Sequence, residues 1–147
     1  MSMKQLNTLY KFEKDKENKA AQELQKSEFE HQQNLQRLSS VGEFRLEYMK
    51  RLNQRSIEGV DSTTYTHFHS FVAKLDHAAD QVKIAIRQSK ALVEQNKKLW
   101  IEQQRKVQAV EILKEKLTLK LQLKANKQEQ NMFDEIGTQQ FIRKQFT

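Results

Sequence analysis

Two series of apolar residues run through the second half of the chain at the seven-residue spacing of a coiled coil. The repeat persists for about eight heptads, beyond the three to four that indicate a coiled coil. The second series is polar in its middle, at Ser89, Asn96 and Gln103. Asn96 and Gln103 either fix the register of the helices or mark a loosely packed, hydrated seam. The first series contains Val72, Ala79, Ile86, Val93, Trp100, Val107, Lys114 and Leu121, and the second contains Phe68, Leu75, Val82, Ser89, Asn96, Gln103, Val110, Leu117 and Lys124.

The first half of the chain carries a weaker version of the same repeat. Polar residues interrupt both of its series, so this segment is expected to be helical only when it packs against the second half. One series contains Tyr10, Glu17, Leu24, His31, Leu38, Arg45 and Leu52, and the other contains Ala21, Glu28, Leu35, Gly42 and Met49.

A break between the two halves falls at residues 58–64. Gly59 can adopt the left-handed conformation that ends a helix, and Asp61, Ser62 or Thr63 can cap the next one. A short connection between long helices makes them antiparallel. The sequence therefore predicts an all-α fold, with two long helices forming an antiparallel coiled-coil hairpin. The predicted single domain, 1–147, consists of a helix at 3–58, a turn at 59–63, a helix at 64–137 that ends at Gly137, and a tail at 138–147.

A third apolar row flanks the first series, which is more than a two-stranded seam requires. Across the turn, Val41, Phe44 and Tyr48 lie at a comparable distance from Gly59, so a hairpin would bring them near Phe71 and Leu75. Two interpretations stay open: a locally thicker core, or an exposed apolar patch that docks a partner. The row contains Phe71, Ala78, Ala85, Leu92, Leu99 and Leu113.

Composition favours few, long helices and a thin core. The chain has no proline, three glycines and 37% hydrophobic residues, so it can line a narrow seam but not fill a thick interior. It has no cysteine, which excludes disulfides and thiolate metal sites. No apolar run approaches the roughly 18 residues of a membrane span, and the N-terminus lacks the apolar stretch of a secretory signal. A soluble, cytoplasmic protein is expected.

Positive charge is concentrated in the second helix. The net charge is +7, and from Lys97 to Lys127 nine basic residues face only three glutamates. This excess is either a solvated helix face or a docking surface for an acidic partner, such as nucleic acid, an anionic membrane surface or an acidic protein.

No catalytic constellation is found in the sequence. His67 and His69 would face nearly opposite sides of a helix, and His77 lies two turns beyond His69, so no metal site is expected. The three scattered glycines cannot form a phosphate-binding loop. We therefore expect a protein that is not an enzyme and has no cofactor.

Three stretches of the chain resemble the flagellar FliJ family. They are LSSVGEFRLEY from Leu38, FVAKLDHA from Phe71, and WIEQQRKVQAVEILKEK from Trp100, which is followed by the Lys/Gln-rich KANKQEQNMFDE. The resemblance covers nearly the whole chain, although Phe44 and Val82 stand where the family often has tyrosine and histidine. It implies a helical hairpin that acts as a stalk in the bacterial flagellar type III export apparatus.

The resemblance implies two binding surfaces. One would bind the cytoplasmic region of the export-gate membrane protein FlhA, and the other would bind the export ATPase, FliI. The gate-binding residues carried over by position are Arg37, Val41, Phe44, Tyr48, Phe71, Leu75, Ala78 and Val82. The weaker ATPase candidates are Leu6, Leu9, Lys114, Lys116, Lys120, Lys124 and Lys127.

The resemblance further implies binding of export chaperones, help in their recycling, and a role in protein transport for flagellum biogenesis and hence chemotaxis. The protein is expected to be a monomer, peripherally associated with the cytoplasmic face of the inner membrane, with no nucleic acid as partner. Three alternatives stay open: the equivalent stalk protein of a virulence type III secretion system, a basic nucleic-acid-binding hairpin, and a generic coiled-coil scaffold that would form homodimers.

Overall fold

The computed structural model describes residues 1–146, and these residues form two α-helices joined by a short turn. Helix α1 covers Met3–Glu58 and helix α2 covers Ser62–Phe146. No strand occurs within the described range. The prediction of an all-α helical hairpin is confirmed. Both segments are helical because strong helix formers fill them and no proline interrupts them.

The turn consists of Gly59, Val60 and Asp61. Gly59 has a φ of 94°, the left-handed conformation that terminates α1 and that glycine adopts without steric cost. Asp61 caps α2, because its Oδ1 accepts a hydrogen bond of 2.9 Å from the backbone N–H of Thr64. Hydrogen bonds from the hydroxyl and the N–H of Thr64 hold the pKa of Asp61 below its usual value.

The boundaries of α2 differ from the predicted 64–137. The helix begins at Ser62 because Asp61, rather than Thr63, is the cap. At the other end, the prediction that Gly137 ends the helix is wrong, because α2 continues through it to Phe146. One glycine costs a helix only about 1 kcal/mol, which is too little to end it. The predicted tail is therefore helical from 138 to 146, and Thr147 lies outside the described residues.

The start of α1 is a capping box. The Ser2 hydroxyl accepts a hydrogen bond of 3.2 Å from the N–H of Gln5, and the Gln5 Oε1 accepts one of 3.0 Å from the N–H of Ser2. This reciprocal pair satisfies two donors that a helix start leaves unpaired.

The chain divides into two compact units. The first contains Met1–Glu17 together with the chain from Gln103 onwards, and the second contains Asn18–Glu102. That the whole chain forms one domain stays a prediction.

In the second unit, contacts between α1 and α2 show that the helices run antiparallel. His31 Nδ1 lies 2.8 Å from the Ser89 hydroxyl, and Asn96 Nδ2 donates to the backbone carbonyl of Glu23 at 3.3 Å. As the α2 residue number rises, the number of its α1 partner falls. The core here is thin, with Leu52, Phe68 and Val72 as its buried apolar residues.

In the first unit, Leu6, Val107 and Val110 form the buried apolar core. Gln103 Nε2 donates a 3.0 Å hydrogen bond to the backbone carbonyl of Glu13 and also contacts the Glu13 carboxylate. Glu17 is buried, and the Lys14 ammonium reaches it at 3.1 Å. That hydrogen bond to Glu17 raises the pKa of Lys14.

Candidate protein-docking surface

Three aromatic side chains from the two helices form a cluster in the second unit, which we call the aromatic patch: Phe44, Tyr48 and Phe71. The ring centroid of Tyr48 lies 4.5 Å from that of Phe71, and the centroid of Phe44 lies 6.3 Å from it. The tilted geometries are typical of favourable aromatic pairs. The antiparallel alignment therefore produces the juxtaposition that their comparable distances from Gly59 predicted.

The aromatic patch is not sealed inside the hairpin. Phe44 is 52% exposed, and Tyr48 and Phe71 are half-buried. Below the patch, Tyr48 also packs on the buried Phe68, with ring centroids 4.9 Å apart. The rings are thus anchored on one side and open to solvent on the other. A core that is sealed from solvent therefore does not describe the aromatic patch.

A groove lies beside the patch and contains three more of the predicted gate-binding residues. Arg37, Val41 and Val82 line it, and its volume is about 480 Å³. Gln33, Gln36 and Ser40 provide its polar wall.

The remaining two predicted gate residues, Leu75 and Ala78, are half-buried on α2, between Phe71 and Val82 in sequence. Spacings of three and four residues keep these four positions on one helix face. The structure thus places Phe44, Tyr48 and Phe71 in contact and Arg37, Val41 and Val82 around one groove.

Charged groups surround this surface. Arg45 Nε donates to Asp76 Oδ1 at 2.7 Å across the two helices, and the Arg55 guanidinium lies 5.5 Å from the ring centroid of Phe68. Sequence reasoning did not single out either contact. The opposite charges of Arg45 and Asp76 at matching distances from the turn are the signal that could have revealed the first.

The ATPase candidates, in the first unit, have unequal access to solvent. Leu6 is only 4% exposed, so its assignment as a surface contact is corrected: its side chain belongs to the core. Lys114 is half-buried, and its ammonium lies 4.6 Å from the ring centroid of Tyr10. Leu9 lines an apolar groove with the exposed Phe12. The candidates whose side chains are exposed are Lys116, Lys120, Lys124 and Lys127.

Residues 1–146 contain neither a candidate metal site nor a candidate membrane span. In that range no three His, Asp or Glu side chains are arranged to hold a metal ion. Neither described helix contains a stretch that is long and apolar enough to cross a membrane.

Comparisons with known proteins point to one family. The family model described as "Flagellar FliJ protein" matches residues 3–146. A relative from Salmonella typhi with the same description is 26% identical over 113 residues, which is 77% of this chain and 77% of the relative. No solved structure matches the chain significantly. Because the family model covers nearly all of its residues, the chain belongs to the flagellar FliJ protein family.

Proposed function

We propose that this chain is a non-enzymatic component of the flagellar protein export apparatus, a stalk-like coiled coil that links the export ATPase to the membrane export gate. The proposal includes help in recycling export chaperones and a position at the cytoplasmic face of the inner membrane, held there through the gate. Family membership supports the flagellar setting. The single observation that carries the gate contact is the half-open aromatic patch.

The aromatic patch has the properties of a binding hot spot. A partner that covers the exposed Phe44 ring gains about 25 cal/mol per Å² of apolar surface removed from water. Aromatic residues are also enriched among the few interface residues that carry most of the binding energy. Because Tyr48 and Phe71 already pack on one another, little side-chain entropy is lost when a partner docks.

The polar surroundings of the patch fit an interface rim. Arg37 stands at the groove, where its Nη1 donates to Asn34 Oδ1 at 3.2 Å, and the Arg45–Asp76 pair stays solvated. An apolar centre with a solvated polar rim is the usual anatomy of a protein–protein interface. The gate side of the proposal therefore uses the eight residues carried over from the family, with Phe44, Tyr48 and Phe71 at the centre.

The ATPase side of the proposal uses the basic run of α2 in the first unit. Its exposed lysines attract an acidic surface, and the groove at Leu9 and Phe12 offers an apolar contact. Leu6 is left out because it is buried. Helix α2 contributes residues to both surfaces without an interruption in its helical structure, which supports a mechanical link between the two partners.

The gate contact is tested by binding the purified full chain to the immobilised cytoplasmic region of the gate protein. We expect Phe44→Ala to weaken binding about tenfold, equivalent to about 1.4 kcal/mol. The matched control is Phe29→Ala, which removes another exposed phenylalanine of the second unit, 64% exposed and outside the patch. Circular dichroism checks that both variants keep their helices.

An equal loss of gate binding in the Phe44→Ala and Phe29→Ala variants, or no loss with Phe44→Ala, would contradict the gate assignment.

The ATPase contact has its own measurement: replacing Lys116, Lys120 and Lys124 by glutamine should reduce binding to the purified ATPase and leave gate binding unchanged. Undiminished ATPase binding by this variant would remove the basic run from the proposal.

A further inference from the structure

A second exposed apolar surface lies in the first unit, on the part of α2 that carries the basic run. Ile112, Leu119 and Leu123 are 50%, 57% and 60% exposed. We call these three residues the outer stripe. None of them is among the residues assigned to the gate or to the ATPase.

The outer stripe faces away from α1. The side of α2 that packs against α1 is marked by the buried Val107 and Val110. At 3.6 residues per turn, Ile112 lies about 200° around the helix from Val110, and Leu119 lies about 180° from it. The stripe is therefore on the reverse side of the helix from the seam and cannot contribute to the intramolecular hairpin.

The spacing of the stripe fits a further helix. Ile112, Lys116, Leu119 and Leu123 follow one another at intervals of four, three and four residues. This alternation produces a narrow stripe, the kind that a partner helix covers in a coiled coil.

Leu113 and Leu121 are also exposed, at 48% and 50%. Around the helix, Lys120 and Lys124 separate these two leucines from the stripe, so the segment does not provide the single broad apolar face that helices in a membrane interface bury among the lipids.

Charge determines which helix fits. From Ile112 to Gln128 the sequence contains five lysines and a single acidic residue, Glu115. Lys116 lies within the stripe, and Lys120 and Lys127 follow one of its edges, all three with exposed side chains. A second copy of this chain would bring the same lysines against one another, so self-association through the stripe is disfavoured.

We propose that the outer stripe docks an acidic amphipathic helix of another protein, whose apolar residues cover Ile112, Leu119 and Leu123 and whose flanking carboxylates pair with Lys116, Lys120 and Lys127. The inference goes beyond the proposed function, because it adds the apolar centre Ile112, Leu119 and Leu123 to lysines that the proposed ATPase contact also uses. An acidic helix bound here would therefore compete with the ATPase for Lys116 and Lys120. Neither the proposed gate contact nor the proposed ATPase contact includes Ile112, Leu119 or Leu123.

The test uses synthetic coiled-coil peptides of about four heptads and the full-length chain. One fluorescent peptide has leucine and isoleucine at the seam positions and glutamate at every flanking position. Its twin has lysine at the flanking positions. We expect the acidic peptide to bind and the basic peptide not to bind, by fluorescence anisotropy, and we expect added salt to weaken the binding.

The double variant Leu119→Ala/Leu123→Ala should weaken binding of the acidic peptide by on the order of tenfold or more, since two leucines lose their buried contacts. Both sites are exposed, and alanine favours helix, so the fold is retained. Leu46→Ala, which removes a 59% exposed leucine of the second unit, is the matched control and should leave binding unchanged.

Three results would overturn the inference. The first is equal binding of the acidic and basic peptides, or binding that the double variant does not weaken. The second is stripe-dependent binding to vesicles of equal parts phosphatidylcholine and phosphatidylglycerol without peptide binding, which would assign the stripe to a membrane surface. The third is self-association in analytical ultracentrifugation that the double variant abolishes, which would assign it to a second copy. Because neither the gate nor the ATPase is present, failure here leaves the proposed function intact.

Discussion

The contact between Tyr48 and Phe71 gives the sharpest test of how the two helices meet in the second unit. Their ring centroids are 4.5 Å apart, although the residues belong to different helices. Phe→Ala substitutions in a full core cost about 3–5 kcal/mol. Phe71 is half-buried, so we expect Phe71→Ala to lower the free energy of unfolding by about 1.5–2.5 kcal/mol.

A double-mutant cycle isolates the part of that loss that belongs to the pair. The variants are Tyr48→Ala, Phe71→Ala and their combination, and urea unfolding is followed by the helical circular-dichroism signal. An aromatic pair contributes about 0.5–1.5 kcal/mol beyond area burial, so the double variant should be less destabilised than the sum of the single variants by that amount.

The control for the cycle is Phe29→Ala, which should change the free energy of unfolding by less than about 0.5 kcal/mol, because Phe29 is 64% exposed. A coupling energy within about 0.3 kcal/mol of zero would mean that the two rings do not pack in solution. The antiparallel register at the aromatic patch, and the preorganised docking surface built on it, would then be refuted.

Two further predictions concern two glycines and the helix cap at Asp61. Gly137→Ala should raise the helical content of the C-terminal part of α2 and stabilise it by about 0.5–1 kcal/mol, because Gly137 is within the helix and an added Cβ meets no atom within 4 Å. Gly59→Ala should instead destabilise the folded chain by about 1–2 kcal/mol, because the φ of 94° at this position is strained for any residue with a Cβ. Hydrogen-exchange protection and thermal unfolding measure the two effects. The two glycine predictions are contradicted if both substitutions change stability in the same direction. The Asp61 cap should make stability depend on acid pH: its folded-state pKa is lowered by Thr64, so the stabilisation is complete above the unfolded pKa, near 4, and is lost as the pH falls through the lower folded value. Asp61→Asn keeps the cap and removes this dependence, so an unchanged acid limb in the Asn variant would assign the pH response to other groups.

The seam shows how a pattern can identify positions without settling their role. Ser89, Asn96 and Gln103 interrupt the apolar series, and the polarity of Asn96 and Gln103 is compatible with either register specification or a hydrated seam. In the structure, Asn96 and Gln103 donate to backbone carbonyls of α1, and Ser89 meets His31. These bonds form only where the two helices have the observed register, which supports the first interpretation.

The candidate sites likewise combine features that the sequence predicts with features that depend on packing. Comparable distances from Gly59 were enough to predict that Phe44 and Tyr48 approach Phe71, because an antiparallel hairpin relates positions on its two helices by their distance from the turn. The same reasoning could not say that Leu6 would be buried or that Phe44 would be half-exposed, since exposure depends on how the facing helix covers each side chain.

By itself, the sequence determined the two helices, the turn at Gly59 and the antiparallel pairing. Periodicity, helix propensity and a single glycine-containing break are local properties, and they follow directly from the order of the residues. Only the tertiary structure decided which apolar rows are used internally and which stay free. The third row is partly covered at the aromatic patch, whereas Ile112, Leu119 and Leu123 lie on the reverse side of α2 from the seam. Burial is a property of two packed surfaces, so no pattern in one helix can determine it.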